Sequence, residues 1–258
     1  TLINANLKGG QASTLAITLL IAVIVYSLLM LALRPLLRRY FAMNAATYST
    51  IYQVSTRWNG FIALAIVDKL YGDGGVSLVA VALAAMVPIL NMQNVTVVTV
   101  LLSDKRPTVF RLTRSVLTNP LIIGCSAGLI INLLSIPVYD PILTTLDILG
   151  RAALGVGLVL VGTGLQVRAA LKPSAAAWLG TVLKLITFPA FVALIALGFG
   201  LSGQAFAIAI ICASVPTAMN GYLLAKELGG DAPLYATVVT LQTAICFFTI
   251  PIFLTLAS

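Results

Sequence analysis

A polar, helix-breaking pentapeptide occurs twice inside apolar sequence. Asn59-Gly60-Phe61-Ile62-Ala63 returns as Asn220-Gly221-Tyr222-Leu223-Leu224. Each copy leads to a Gly-Asp pair, Gly72-Asp73 and Gly230-Asp231, and then to an apolar stretch containing Pro88-Ile89 or Pro251-Ile252. About five membrane crossings separate the copies, and an odd number turns the second upside down relative to the first. Two interrupted spans in an inverted repeat are the pattern of a secondary transporter with its site near the bilayer midplane.

Charge is too scarce for a soluble domain. The chain of 258 residues is 60% hydrophobic and 9% charged, with a mean hydropathy of +1.08. Its net charge of +8 lies in short clusters between apolar runs, which is the pattern of membrane topology and not of a nucleic-acid partner. There is no histidine, so the usual proton shuttle and the commonest metal ligand are missing. Cys125, Cys212 and Cys246 lie in apolar runs. Their odd number argues against a disulfide framework and for packing.

At about 20 apolar residues per helical crossing, the sequence predicts about eight spans: roughly 14–37, 48–70, 76–102, 117–134, 142–165, 175–198, 204–224 and 233–257. The second and seventh carry polar and helix-breaking residues near their middles, which need protein or water around them. One set of loops holds Arg34, Arg38, Arg39, Lys105, Arg106, Arg111, Arg114, Arg168, Lys172 and Lys226; the opposite set holds Lys8 and Lys69. The positive-inside bias places the first set in the cytoplasm, so Thr1 and Ser258 both face outside. Residues 115–258 hold a complete five-helix unit, whereas residues 1–114 hold three helices. Equal repeats then predict that roughly 45 residues and two helices precede this sequence in the natural protein. Thr1 to Gln11 read as a polar loop and not as a signal peptide.

The residues that carry chemistry cluster at the interruptions. Breaks at Asn59-Gly60 and from Pro216 to Gly221, crossing one another, would aim helix N-termini and free N–H groups at an anion. The Asn side chains would add donors and acceptors. The plainer alternative is a kink with each Asn bonded to a neighbouring helix. Lys184 lies mid-span, and intramembrane cations are functional candidates by default. Arg57, two residues before Asn59, is a second candidate, with snorkelling to the interface as its alternative. Both have structural alternatives as counter-charges or as donors to carbonyls freed at a break. No pair of intramembrane carboxylates is visible to carry a proton. A coupling cation, if there is one, is easier to build from backbone carbonyls at the breaks. Asp147 and Arg151 read as a local i,i+4 ion pair. The dense glycines Gly155, Gly157, Gly162 and Gly164 read first as close helix packing, second as a substrate-facing wall.

These motifs resemble the auxin efflux carrier family, whose bacterial members are malonate or malate permeases. The resemblance is carried by Thr56-Arg57-Trp58-Asn59-Gly60-Phe61-Ile62 with Leu70-Tyr71-Gly72, by Thr118-Asn119-Pro120-Leu121-Ile122, and by Leu183-Lys184-Leu185 with Pro189. Its most specific part is Ser214-Val215-Pro216-Thr217-Ala218-Met219-Asn220-Gly221-Tyr222-Leu223-Leu224-Ala225-Lys226-Glu227. The resemblance implies an all-α integral membrane protein with ten helices in two inverted five-helix repeats, of which about eight are present here. It also implies crossed fourth and ninth helices, a scaffold and a transport domain, an elevator-like motion and an organic-anion substrate. Two departures stand out. The first two helices of the family are missing, and no proline precedes Asn59 where plant members carry one. An auxin substrate is therefore not supported.

The expected function is a multi-pass carrier of small carboxylates such as malonate or malate in a bacterial inner membrane. Its substrate-binding residues would be Asn59, Gly60, Pro216, Asn220, Gly221, Lys184 and Arg57. No cofactor is expected, coupling to Na+ or H+ is open, and a homodimer is an open partner state. The alternatives are a carrier of the sodium/bile-acid symporter type, which calls for acidic sodium ligands near the crossover, and a truncated, non-transporting remnant. A membrane enzyme would need a polar catalytic cluster, and none is visible. The orientation is directly testable. In a Cys-free background, single cysteines at 38, 111 and 172 should label only from the cytoplasmic side, and those at 10, 135 and 202 only from outside. Labelling of position 111 from outside intact cells would reject the orientation.

Overall fold

The computed structural model describes residues 10–102, 114, 117–118 and 120–257. All the regular structure in them is helical: α1 (Gly10–Ala32), α2 (Arg34–Phe41), α3 (Ala45–Thr56), α4 (Gly60–Leu102), α5 (Pro120–Leu133), α6 (Asp140–Thr163), the short α7 (Val167–Ala170), α8 (Ala175–Val182), a π-helical turn (Leu183–Thr187), α9 (Phe188–Gly198), α10 (Gly203–Ser214), α11 (Asn220–Leu228) and α12 (Ala232–Ala257). Among the described residues five helical runs are long and apolar enough to cross a membrane: Gly10–Ala32, Ala45–Leu102, Asp140–Thr163, Ala175–Gly198 and Ala232–Leu256. The protein is an all-α integral membrane protein.

The eight predicted stretches map onto these elements. Ala45–Leu102 contains two of them, because Gly72 (φ 59°, ψ −156°) splits α4 into arms 60–71 and 73–102. Only glycine takes that backbone conformation without strain. In the second repeat Gly229 closes α11, also at positive φ but in the left-handed helical region (φ 80°, ψ 23°), one residue before the glycine matched by sequence. The predicted stretch 117–134 appears as the 14-residue α5. The predicted boundary between repeats, at 114/115, falls where only Arg114, Leu117 and Thr118 are described. Of the loop cations that set the orientation, Lys8, Lys105, Arg106 and Arg111 lie outside the described residues, as does Asn119 of the family motif.

The core sits where the two interrupted spans approach each other. α3 starts at Asn44, whose side chain accepts the Thr47 N–H at 2.8 Å. From Tyr48 to Thr56 every residue of α3 is buried. α10 is buried from Ala205 to Ser214 except at Ala207. α1, α4, α8, α9 and α12 pack around this pair. α6 stands apart from the mass of the core, with Gly157 its one buried residue.

At the breaks, each repeat takes up backbone groups that the other has freed. In an unbroken helix the Val54 carbonyl would accept the N–H of Trp58. Here it accepts the Thr217 hydroxyl at 2.5 Å and the Gln242 amide at 3.1 Å. The Gln242 side chain also accepts the Thr217 N–H at 2.9 Å and donates to the Gly180 carbonyl at 3.2 Å. One glutamine on α12 thus ties together both breaks and α8. An unpaired buried donor costs about 1–3 kcal/mol. Gln242→Leu strands the Thr217 N–H and should lower unfolding free energy in detergent by at least that much. Thr237→Val removes an exposed hydroxyl that only bonds back to its own helix at Pro233, and should change stability by less than about 0.5 kcal/mol. Equal stability of the two variants would show that the tie is not needed.

Candidate functional site

The first break is held by an asparagine and an arginine. α3 ends at Thr56, and Arg57 turns extended (φ −73°, ψ 158°) while its N–H bonds the Gln53 carbonyl. Asn59 is the N-cap of α4: its Oδ1 accepts the N–H groups of Phe61 at 3.1 Å and Ile62 at 3.3 Å. Such a cap satisfies donors that every helix start leaves free. Gly60 follows because the chain runs tight against the outer arm of α4. A Cβ there would lie 2.8 Å from a Leu83 methyl.

Proline makes the second break. Val215 is extended (φ −68°, ψ 152°), as residues before proline prefer. Pro216 has no N–H to continue the ladder. The Ala213 carbonyl, whose helical partner would be the Thr217 N–H, accepts the Lys184 ammonium at 2.8 Å. The Ala218 carbonyl accepts the Tyr235 hydroxyl at 2.6 Å. Gly221 lets α11 lie against α12, since a Cβ there would overlap the Tyr235 ring.

Between the breaks lies a cavity of about 230 Å³. The segment from Arg57 to Phe61 and the segment from Ala218 to Asn220 line one side of it. Leu83, Val87, Leu90 and Asn91 of α4, and Gly157, Leu160 and Val161 of α6, line the others. Arg57 is 6% exposed and Asn59 2%. The Arg57 Nη1 donates to Asn220 Oδ1 at 3.2 Å, and Arg57 Nε has no partner in the protein.

This bonding fixes the polarity of the cavity. Asn59 Oδ1 is occupied by two backbone N–H groups, so that oxygen, and not the amide nitrogen, must point at them. Asn220 Oδ1 faces a guanidinium, which can only donate. Both asparagines are therefore left with their amide nitrogens free, and Arg57 with unused N–H groups. Among the described residues no acidic side chain lines the cavity. At the breaks it offers free donors and one positive charge, with the Asn91 carboxamide and an apolar wall around them, an arrangement suited to an anion.

Of the residues singled out in the sequence, Arg57, Asn59, Gly60 and Asn220 meet at this cavity, whereas Pro216, Gly221 and Lys184 do not line it. Lys184 is fully buried in the π-helical turn. Its ammonium lies 4.4 Å from the Phe188 ring centroid and bonds a freed carbonyl, the second of the roles the sequence left open to it. The sequence points to no role for Asn91, Tyr235 or Gln242, and marks Thr217 only as a polar residue of the second interruption. Asn91 and Gln242 carried the same signal as the others, a carboxamide inside an apolar run. Among the described residues no group of His, Cys, Asp and Glu is arranged to hold a metal ion. Arg151 and Asp147 form the expected i,i+4 pair at 2.9 Å, exposed and away from this cavity.

The profile of the membrane transport protein family matches residues 93–254. That stretch is more than half of the chain and takes in Lys184, the whole second break and Gln242. No match was found among curated proteins. The interrupted spans and the matched stretch agree: the chain belongs to the auxin efflux carrier family of membrane transport proteins.

Proposed function

We propose that this membrane transport protein carries small organic anions, carboxylates such as malonate or malate, and that the cavity between the breaks is where they bind. The observation that carries the reading is the set of free donors that Arg57, Asn59 and Asn220 bring to the breaks. An anion at mid-membrane depth is costly unless fixed donors replace its water, and here the side-chain oxygens of Asn59 and Asn220 are already engaged within the protein. The carboxylate would take Arg57 Nε and the amide nitrogens of Asn59 and Asn220. The apolar wall would cover the rest of the molecule. Pro216 and Gly221 shape the backbone behind the site, and Lys184 holds the end of α10.

Alternating access of the elevator kind fits the packing. The spans bearing the breaks form one packed body with α1, α8, α9 and α12, while α6 meets it along a thin seam. Phe61 seats on Gly157 and Met219 on Gly164, with no room for a Cβ at either glycine. A second cavity, about 510 Å³, lies on the same seam and shares Leu64 with the first. Its lining includes Asp68, Asp73, Asp147 and Arg151. In the orientation predicted from the loops, these residues lie toward the outer side.

A hydrogen bond to a charged group is worth about 1.5–3 kcal/mol, roughly ten- to a hundredfold in affinity. Asn59→Ala and Asn220→Ala in the natural-length protein should each weaken binding of a labelled carboxylate by about that factor, and Arg57→Gln by at least as much. Lys184→Met should instead lower thermal stability, leaving the affinity of the folded fraction within about twofold, since Lys184 touches the backbone and not the cavity. Uptake of labelled mono- and dicarboxylates into vesicles, with and without sodium and a pH gradient, identifies substrate and coupling. Unchanged carboxylate affinity in both asparagine variants would reject the site.

A further inference from the structure

The short helix α2 is amphipathic, and on its apolar half only Leu37 packs against the core among the described residues. At about 100° per residue, Arg34, Pro35, Arg38 and Arg39 fall on one half of the helix. Leu36, Leu37, Tyr40 and Phe41 fall on the other. α2 buries no residue. Leu36 is 50% exposed, Tyr40 74% and Phe41 40%. An apolar half with this exposure is unfavourable in water and favourable at the boundary between headgroups and acyl chains.

Position and charge decide what covers it. α2 follows α1 after the single residue Leu33. α1 has 23 residues, and at about 1.5 Å each they cross the hydrocarbon layer once. α2 therefore starts at headgroup level, on the side that the loop arginines assign to the cytoplasm. No acidic residue precedes Asp68 in the sequence. The carboxylate that reaches the start of α3 is Asp231, and it is taken up by the Leu234 N–H at 3.0 Å and the Thr47 hydroxyl at 3.5 Å. The Arg34 guanidinium lies 5.7 Å from the Tyr48 ring centroid, and Arg38 Nε donates to the Met43 carbonyl at 3.4 Å. Both guanidiniums keep unused N–H groups, and Arg39 has no protein partner among the described residues. Among the described residues no carboxylate forms an ion pair with these three cations, which complement a phosphodiester surface.

We propose that α2 lies in the cytoplasmic membrane interface, with Leu36, Tyr40 and Phe41 in the acyl boundary and its arginines binding the headgroups of anionic phospholipids. The segment thereby ties the turn between α1 and α3 to that leaflet. The inference rests on the loop-charge orientation and is independent of what the central cavity carries.

Two measurements on the full chain in nanodiscs test it. In a Cys-free background, nitroxides at Leu36→Cys and Tyr40→Cys should be relaxed more by oxygen than by a water-soluble nickel chelate, and one at Arg39→Cys the reverse. Spin-labelled phosphatidylglycerol should be selected over phosphatidylcholine at the protein boundary. Arg38→Gln with Arg39→Gln should lower that selectivity, by up to about fivefold for each arginine removed, and 0.5 M salt should lower it in the parent protein. Chelate-accessible probes at 36 and 40 would place α2 in water and overturn the proposal. So would membrane-buried probes combined with lipid selectivity that the double substitution leaves unchanged.

Discussion

Backbone groups freed inside a membrane have no water to turn to, and the rest of this structure depends on how the two interruptions satisfy each other. The carbonyl of Val54 is the clearest case. It loses its helical partner at the first break and gains two donors, the Thr217 hydroxyl and the Gln242 amide. The Thr217 N–H, lost to its own helix at the second break, goes to the same glutamine. Neither break is stable alone: removing one would orphan groups in the other. A mutual arrangement of this kind places two helix ends side by side at the centre of the core. It also explains how a cavity with free donors can persist between them without the chain closing into two straight helices.

The repeat is symmetric in sequence, but the site it builds is not. At the first break Asn59 caps the following helix with its own side chain. At the second, Asn220 is already the first residue of α11 and its oxygen faces Arg57. The second repeat has Ala218 where the first has Arg57, so the pair contributes one positive charge and not two. The first break has no proline, and side chains from the other repeat hold it open. The second has Pro216, and its freed carbonyl is held by Lys184 from a third span. The asymmetry matters for chemistry: two asparagines, each followed by glycine, end in different bonds, yet both leave an amide nitrogen as the free donor.

The parts of this arrangement that were legible in the sequence are those that follow from one-dimensional chemistry. Apolar length marks the spans, Asn-Gly and Pro216 mark the interruptions, and the repeat marks that the two belong together. The meeting of Arg57, Asn59, Gly60 and Asn220 follows from that pattern. The role of Lys184 did not, because a buried ammonium near an anion site and one on a carbonyl look alike in sequence. Gln242 was overlooked for a related reason. A lone glutamine in an apolar helix shows nothing of the three backbone groups around it until two other helices are in place. The glycines behaved similarly. Gly157 and Gly164 read as close packing, but only the fold shows that Phe61 and Met219, one from each break, are the side chains that fill them.

That last contact joins the static fold to the proposed motion. Phe61 lies two residues after Asn59, and Met219 one residue before Asn220, so each break presents a large apolar side chain to α6 beside its polar group. The cavity wall on the α6 side is formed by glycine and aliphatic residues without a hydrogen-bonding side chain. The bonds that define the donor arrangement run within the packed body, from Arg57 to Asn220, from Thr217 to Val54 and from Gln242 to both breaks. None of them uses α6. A displacement along the seam therefore exchanges dispersion contacts, each small and replaceable, while leaving the expensive polar contacts intact. This division of labour is what the proposed elevator-like motion requires. It arises because the polar residues of both repeats turn toward each other and the apolar ones turn toward α6.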